Sequence, residues 1–337
     1  MVGVTAAALL AWPSLAAEGP YRFLKEIPLG GEGGWDYLSV DMLGHRLYVS
    51  HGAKVVVVDL DKDQVVGEIA DTPGVHGFVV GTGIGRGFSS NGRENKVSVV
   101  DLKTLKTLSK VETGQNPDAI LFEPGQRQVY TFNGRGRSAT VFGAESAKVV
   151  ATIPLSGKPE FAAADPKAGR VYCNLEDKNE VAVIDAKEHK VVTTWPIAPG
   201  EEASGMAIDL NQHRLFLGCH NKLMVMMDST CGKVVASVPI GEGVDANAFD
   251  PGTRLAFSSR GDGTVTIAHE DAPDKLTVIQ TLNTERGART MALDPRTHKI
   301  YLSTAKFEAP SGGSEGGRQR PKMVPDTFKV LVYGMEK

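Results

Sequence analysis

The sequence predicts an all-β protein: a seven-bladed β-propeller of four-stranded blades, its ring closed by the N-terminal strand completing the last blade. Three observations predict it. An aromatic residue recurs at Tyr48, Phe88, Tyr130, Tyr172, Phe216, Phe257 and Tyr301, always at intervals of 40 to 44 residues. Alternating β-branched runs ending in an acid follow, as in Val55–Asp59, Val97–Asp101 and Val181–Asp185, and strict alternation of this kind marks half-buried strands. The last unit stops after its third strand (328–334), while residues 21–29 look like the fourth strands elsewhere. Repeats of this length holding four strands are propeller blades.

Each unit reads the same way. Seven residues before the aromatic stands Asp41, Glu123, Asp165, Asp209, Asp250 or Asp294, with Gly81 in the second unit. Pro124, Pro166, Pro251 and Pro295 follow four of these acids, and an Arg or Lys often directly precedes the second strand's apolar pair. An acid that caps a turn and a Pro that fixes φ make this the hairpin between the first two strands, so these acids are assigned a structural role. The alternating run is the third strand, and stretches such as 148–155 and 233–240 are the fourth. Sharing the last blade between both chain ends removes an open sheet edge.

The pattern Tyr48-Val49-Ser50, Tyr301-Leu302-Ser303-Thr304 and Val181-Ala182-Val183-Ile184-Asp185 resembles the YVTN-repeat propellers, also described as YncE-like, over roughly residues 21–334. That resemblance implies the propeller scaffold and, since family members are mostly exported proteins without an assigned reaction, no mechanism.

Residues 1–17 are expected to form a signal peptide. Residues 2–17 carry no charge and end in Ser14-Leu15-Ala16, a small-x-small cleavage pattern, although no basic residue precedes them. Residues 18–337 then form one domain, and the protein is expected to be periplasmic or secreted. No apolar run reaches the roughly 18 residues that span a bilayer. A formal charge of −3 argues against a general polyanion binder, so nucleic acid is not an expected partner. Cys173, Cys219 and Cys231 show neither CxxC nor zinc-finger spacing and are expected to be free thiols. A monomer is expected.

Propellers present the loops entering their innermost strands around one channel mouth. The residues just before each first strand are Asp36, His76, Asp118, Glu160, Ser204, Asp245 and Arg289, a ring rich in ionisable groups. Blade order sets Arg289 between Asp36 and Asp245, and leaves Asp118 and Glu160 with His76 as their only basic neighbour in the ring. His76, Asp118 and Glu160 are therefore weak candidates for a cation or amine site, too few to name a metal. At the ends of the second strands His51, Asn133 and Arg260 form a further row with Asn91, Arg93, Arg135, Glu176, His220 and Lys306, whose basic members suit an anionic group. An insertion in the seventh blade, 305–327, carries Arg318 and Arg320 and is expected to emerge beside the mouth.

The Gly-rich run 81–87 has no following helix and no Lys-Ser/Thr, so it is a turn and not a phosphate loop. Catalytic motifs of the GxSxG, HExxH and CxxCH kinds are missing. The expected function is a non-enzymatic binding or scaffold protein that recognises a small polar ligand or a protein partner at the mouth. No catalytic residue and no cofactor is assigned. The competing readings are a metal-assisted hydrolase or lactonase with its site in the channel, and nucleic-acid binding.

Overall fold

A computed structural model describes residues 19–308 and 323–335. Among these residues the chain forms seven four-stranded antiparallel sheets, almost without helix. Blades 1 to 6 occupy residues 35–69, 75–112, 117–154, 159–196, 203–239 and 244–283, each in simple sequential strand order. In the seventh blade the strands Met291–Asp294, Lys299–Thr304 and Lys329–Met335 are joined by the N-terminal strand Tyr21–Pro28, which pairs with Lys329–Met335 from Tyr21↔Met335 to Pro28↔Lys329. The first strands of successive blades pack side by side and the ring closes from blade 7 onto blade 1, so these strands surround the channel.

The repeated residues do the work expected of their chemistry. The seven recurring aromatics are all at most 2% exposed and fill the seams between blades. Two of them reach into the next blade: the Tyr130 hydroxyl donates to the Ala186 carbonyl (3.2 Å) and that of Tyr172 to the Ser229 carbonyl (2.8 Å). The turn acids accept hydrogen bonds from the backbone they cap, as when Asp41 Oδ1 takes the amides of Leu43 and Gly44 and Asp165 Oδ1 those of Lys167 and Ala168. The residue before each second strand lies in the left-handed region, for example His45 (φ 52°), His213 (φ 56°) and His298 (φ 57°). A tight turn closed in this way gives the hairpin its twist.

The three cysteines are free; Cys173 and Cys219 are buried and Cys231 is exposed. Burial pushes the Cys219 thiol up to about 12 and the Cys173 thiol also well above its ordinary range. Both are therefore inert to oxidation through the thiolate.

Deleting residues 21–28 removes Tyr21 and Ile27, each 2% exposed, and bares the Lys329–Met335 edge. Burial of two such side chains is worth about 3–6 kcal/mol. Thermal denaturation of the deletion variant should show a fall in Tm of about 6 °C or more (roughly 2–4 °C per kcal/mol) or aggregation; a melt like that of the parent would contradict the ring closure.

Candidate functional site: an acidic channel mouth

One backbone device builds the mouth. Near the start of each innermost strand in blades 1 to 5, two residues oppose a single residue of the neighbouring strand: register passes from Trp35↔His51 directly to Leu38↔Val49, and likewise at 75–78, 117–120, 159–162 and 203–206. Blade 6 has an irregularity at the same level, between Val244 and Ala246. A bulge re-aims side chains that would otherwise alternate between faces. Asp36, His76, Asp118, Glu160, Ser204 and Asp245 are the first bulge residues. They therefore stand second within the innermost strands and not before them, as the sequence reading had it; Arg289 alone precedes its strand.

Hydrogen bonds between blades hold this ring from behind. Ser90 Oγ donates to the Asp118 carbonyl (2.5 Å), Asn174 Nδ2 to that of Ser204 (2.9 Å), Ser259 Oγ to that of Arg289 (2.5 Å) and Thr290 Oγ1 to that of Asp36 (2.9 Å). The donor comes each time from a different blade than the acceptor, so the side chains sit on a backbone locked to its neighbours.

Three cations lie among the four ring carboxylates. Arg289 stands between two of them, hydrogen-bonded to Asp245 and 3.9 Å from Asp36. His76 Nδ1 contacts Asp36 Oδ2 at 2.7 Å and Asp118 Oδ1 at 3.6 Å. Glu160 has a basic partner that the ring pattern did not reveal: Lys158, two residues earlier, reaches Glu160 Oε1 and Glu176 Oε2, each at 2.5 Å. Lys158 lies just before the innermost strand Pro159–Asp165, two residues from Glu160, a signal present in the sequence but passed over. The most closely grouped potential ligands are accordingly Asp36, His76 and Asp118, whose donor atoms lie within 4.8 Å of one another, and Glu160 does not belong to that group.

Burial and mutual repulsion govern the ionisation of the mouth. Burial disfavours the imidazolium of His76, but its hydrogen bond to Asp36 and the charges of Asp118 and Asp36 outweigh this and raise it to about 9. Asp118 is pushed up to about 6, first by burial and then by Asp36 and Asp245, against the opposing pull of His76. Glu160 is pushed up to about 7 by burial and by Asp118, with Lys158 opposing. Burial also raises Asp245, Arg289 opposing.

Next to the acids, two of the second bulge residues meet across the ring. Tyr37 of blade 1 meets Phe161 of blade 4 edge to face, with ring centroids 5.2 Å apart. The equivalent positions on blades 2, 3 and 5 are Gly77, Ala119 and Gly205, and the glycines lie close against the next blade: a Cβ at Gly205 would meet the Asn247 amide nitrogen at 2.7 Å. Neither ring was singled out from the sequence, where each simply follows a mouth acid.

The second row is dispersed. His51 is 1% exposed and stacked on Phe328 (4.1 Å), Asn133 is fully buried and donates to Ser138 and Thr140, and Arg260 is 3% exposed and bound to Thr264 beside Asp262. These three are interior groups that the ligand of an open mouth does not meet, whereas Arg93, Arg135, His220 and Lys306 are exposed. Their shared position predicts a shared level, but burial differs because each blade fills its own end. The roots of the seventh-blade insertion lie near the ring: Phe307 bridges to Met323 and packs on Trp35, the neighbour of Asp36. Arg318, Arg320 and residues 1–17 lie outside the described residues.

One shallow pocket of about 390 Å³ lies between blades 4 and 5 along Tyr172 and Trp195; another, of about 440 Å³, is lined by Glu242, Asp262 and Arg286 and adjoins the mouth, a Cβ at its Gly261 lying 4.0 Å from Arg289 Cβ.

The pH dependence of stability follows from these shifts. Glu160 and Asp118 bind protons more tightly folded than unfolded, so between about pH 5 and 7 the folded state holds more protons and stability falls as pH rises. His76 adds stability that is full below about 6.5 and lost as pH rises through about 9. Tm should therefore be higher at pH 5.5 than at pH 8.5. Glu160→Gln should flatten the part of the profile between pH 5 and 7; an unchanged profile would contradict this account of the mouth.

No family model matches the chain, and no curated protein does either. Among solved structures, the chain is similar to the Kuenenia stuttgartiensis hydrazine synthase, with 17% identity and a TM-score of 0.69 over 88% of this chain and 96% of that one. At that identity the likeness concerns architecture alone, and it agrees with the seven-bladed propeller described above.

Proposed function

We propose that this chain is a non-enzymatic binding module that takes a small cationic ligand at its channel mouth. The observation that carries the reading is an excess of acid: Asp36, Asp118, Glu160 and Asp245 face only His76, Arg289 and Lys158, and Asp118 has no ion pair closer than His76 at 3.6 Å. Low-dielectric walls concentrate such a field and favour an incoming positive charge. The apolar segment 2–17 and the resemblance to exported repeat proteins support a location outside the cytoplasm, which cell fractionation would test.

The grouping of Asp36, His76 and Asp118 favours a second reading, metal binding with the hydrolase-like chemistry that could accompany it. The first reading is preferred because His76 Nδ1 already engages Asp36 Oδ2 at 2.7 Å.

Isothermal titration with organic and metal cations, on the parent and on Asp118→Asn, separates the readings. The expected result is cation binding weakened about tenfold or more in Asp118→Asn, since loss of one buried charge partner costs upwards of about 1.4 kcal/mol. Absence of any cation binding would refute the proposal. Stoichiometric metal together with hydrolysis of an ester or lactone would favour the second reading.

A further inference from the structure

One position of the repeat lies at the end of the blades away from the mouth, just after the third strand's acid position. Its amide donates to the carbonyl of the residue before the second strand: Leu60 to His45, Leu102 to Gly85, Ala144 to Arg127, Ala186 to Gly169, Ser229 to His213 and Glu270 to Arg254. The side chain is small or apolar in five blades and a carboxylic acid in blade 6. Glu270 is 0% exposed, and neither of its carboxyl oxygens meets a hydrogen-bond donor among the described residues. The seam between blades 5 and 6 also lacks a tie that two other seams have. Tyr130 and Tyr172 donate to the carbonyl of this position in the next blade, at Ala186 and Ser229, whereas the recurring aromatic of blade 5 is Phe216, which has no hydroxyl.

The charged groups around Glu270 do not offer it a full partner. Arg254 Nη2 lies 3.7 Å from Oε2, and the Arg254 side chain is 40% exposed, so water shares its charge. Arg214 of blade 5 is committed to Asp228 at 2.9 Å, and His269, next to Glu270 in the chain, to Asp271 at 2.7 Å. The remaining neighbour is a second buried acid, Asp209 of blade 5, whose Oδ1 takes the Asn211 amide (2.8 Å). Two carboxyl groups bond to each other only when one of them holds a proton. An ionised carboxylate in this seam has a desolvation cost that one cation at 3.7 Å does not offset. Burial and then Asp209 raise Glu270 to about 7, with Arg254 and Arg214 opposing.

We infer that Glu270 is a pH-sensitive latch between blades 5 and 6: as the neutral acid it donates to Asp209 across the seam, and on ionising it withdraws and loosens the seam. The step transfers one proton from the Glu270 carboxyl to water. In the closed seam Glu270 holds that proton to about pH 7, but in an open one only to the ordinary glutamate value of about 4.3. The closed form therefore binds more protons between these limits, and closure weakens as pH rises through them. Above about pH 7 both forms are ionised and the dependence levels off. The latch stands apart from the mouth, whose titrating acids belong to blades 3 and 4.

The test is amide hydrogen exchange of the full chain from pH 5 to 8.5, corrected for the intrinsic pH dependence of exchange. It compares the parent with Glu270→Gln, which stays neutral and keeps a donor, with Glu270→Leu, the residue of blades 1 and 2, and with Glu160→Gln. In the parent, opening of the seam strands Arg214–Cys219 and Leu255–Arg260 should rise about tenfold per pH unit between about pH 5 and 7, the slope of one proton, and then level off. Both Glu270 variants should lose that slope, while Glu160→Gln, which alters the mouth, should keep it. If Glu270→Leu does not fold, Glu270→Gln carries the comparison. A slope that persists in the Glu270 variants would assign the effect to another group and overturn the inference. A parent seam that is indifferent to pH, or that opens more on the acid side, would show Glu270 ionised and paired with Arg254, and would overturn it as well.

Discussion

The bulge at the head of the innermost strands is the constraint on which the mouth depends. In an unbroken strand, successive side chains point to opposite faces, and a residue at the second position would be directed into the seam between blades. Two residues against one break that alternation at the same level in five blades, and blade 6 has its own irregularity there. The outcome is a ring of acids and bases at the first bulge positions, each followed in the chain by a residue that is small in blades 2, 3 and 5. A bulge leaves backbone groups unpaired, and here Ser90, Asn174 and Thr290 take up the carbonyls of Asp118, Ser204 and Asp36 from neighbouring blades. The same bonds that satisfy the backbone therefore also fix one blade's site residue to another blade.

This arrangement explains why the mouth tolerates so much like charge. Each acid's partner is contributed by a different blade or, for Lys158, by the approach to the same strand. His76 is drawn by two carboxylates on either side of it, Asp36 and Asp118, and keeps its proton because their combined pull outweighs burial. The remaining imbalance collects at Asp118 and Glu160, where burial and repulsion hold protons to near neutral pH. A bound cation would lower both, releasing protons as it enters. The mouth is thus poised between binding protons and binding another positive charge, a property of the cluster and not of any single residue.

Much of the fold was legible in the sequence because the repeat writes each structural need several times. Seven aromatics at near-constant spacing, six turn acids and the alternating third strands each report one packing or capping requirement, and the structure puts all seven aromatics in the seams. The ring residues were legible for the same reason, since their position recurs. What was missed is local. Lys158 belongs to no repeated position, and Tyr37 and Phe161 break the small-residue pattern of their own level. His51, Asn133 and Arg260 were grouped as mouth residues by register, yet His51 is covered by Phe328 and Arg260 by the Thr264 turn. A repeat specifies where a side chain starts; its end is decided by neighbours from other blades, which periodicity does not encode.

That distinction also says where specificity resides in a propeller of this kind. The features common to all blades build a rigid ring and are indifferent to what enters it. The departures from the repeat, Tyr37 and Phe161 among Gly77, Ala119 and Gly205, are what make the channel of this chain differ from a generic acidic one.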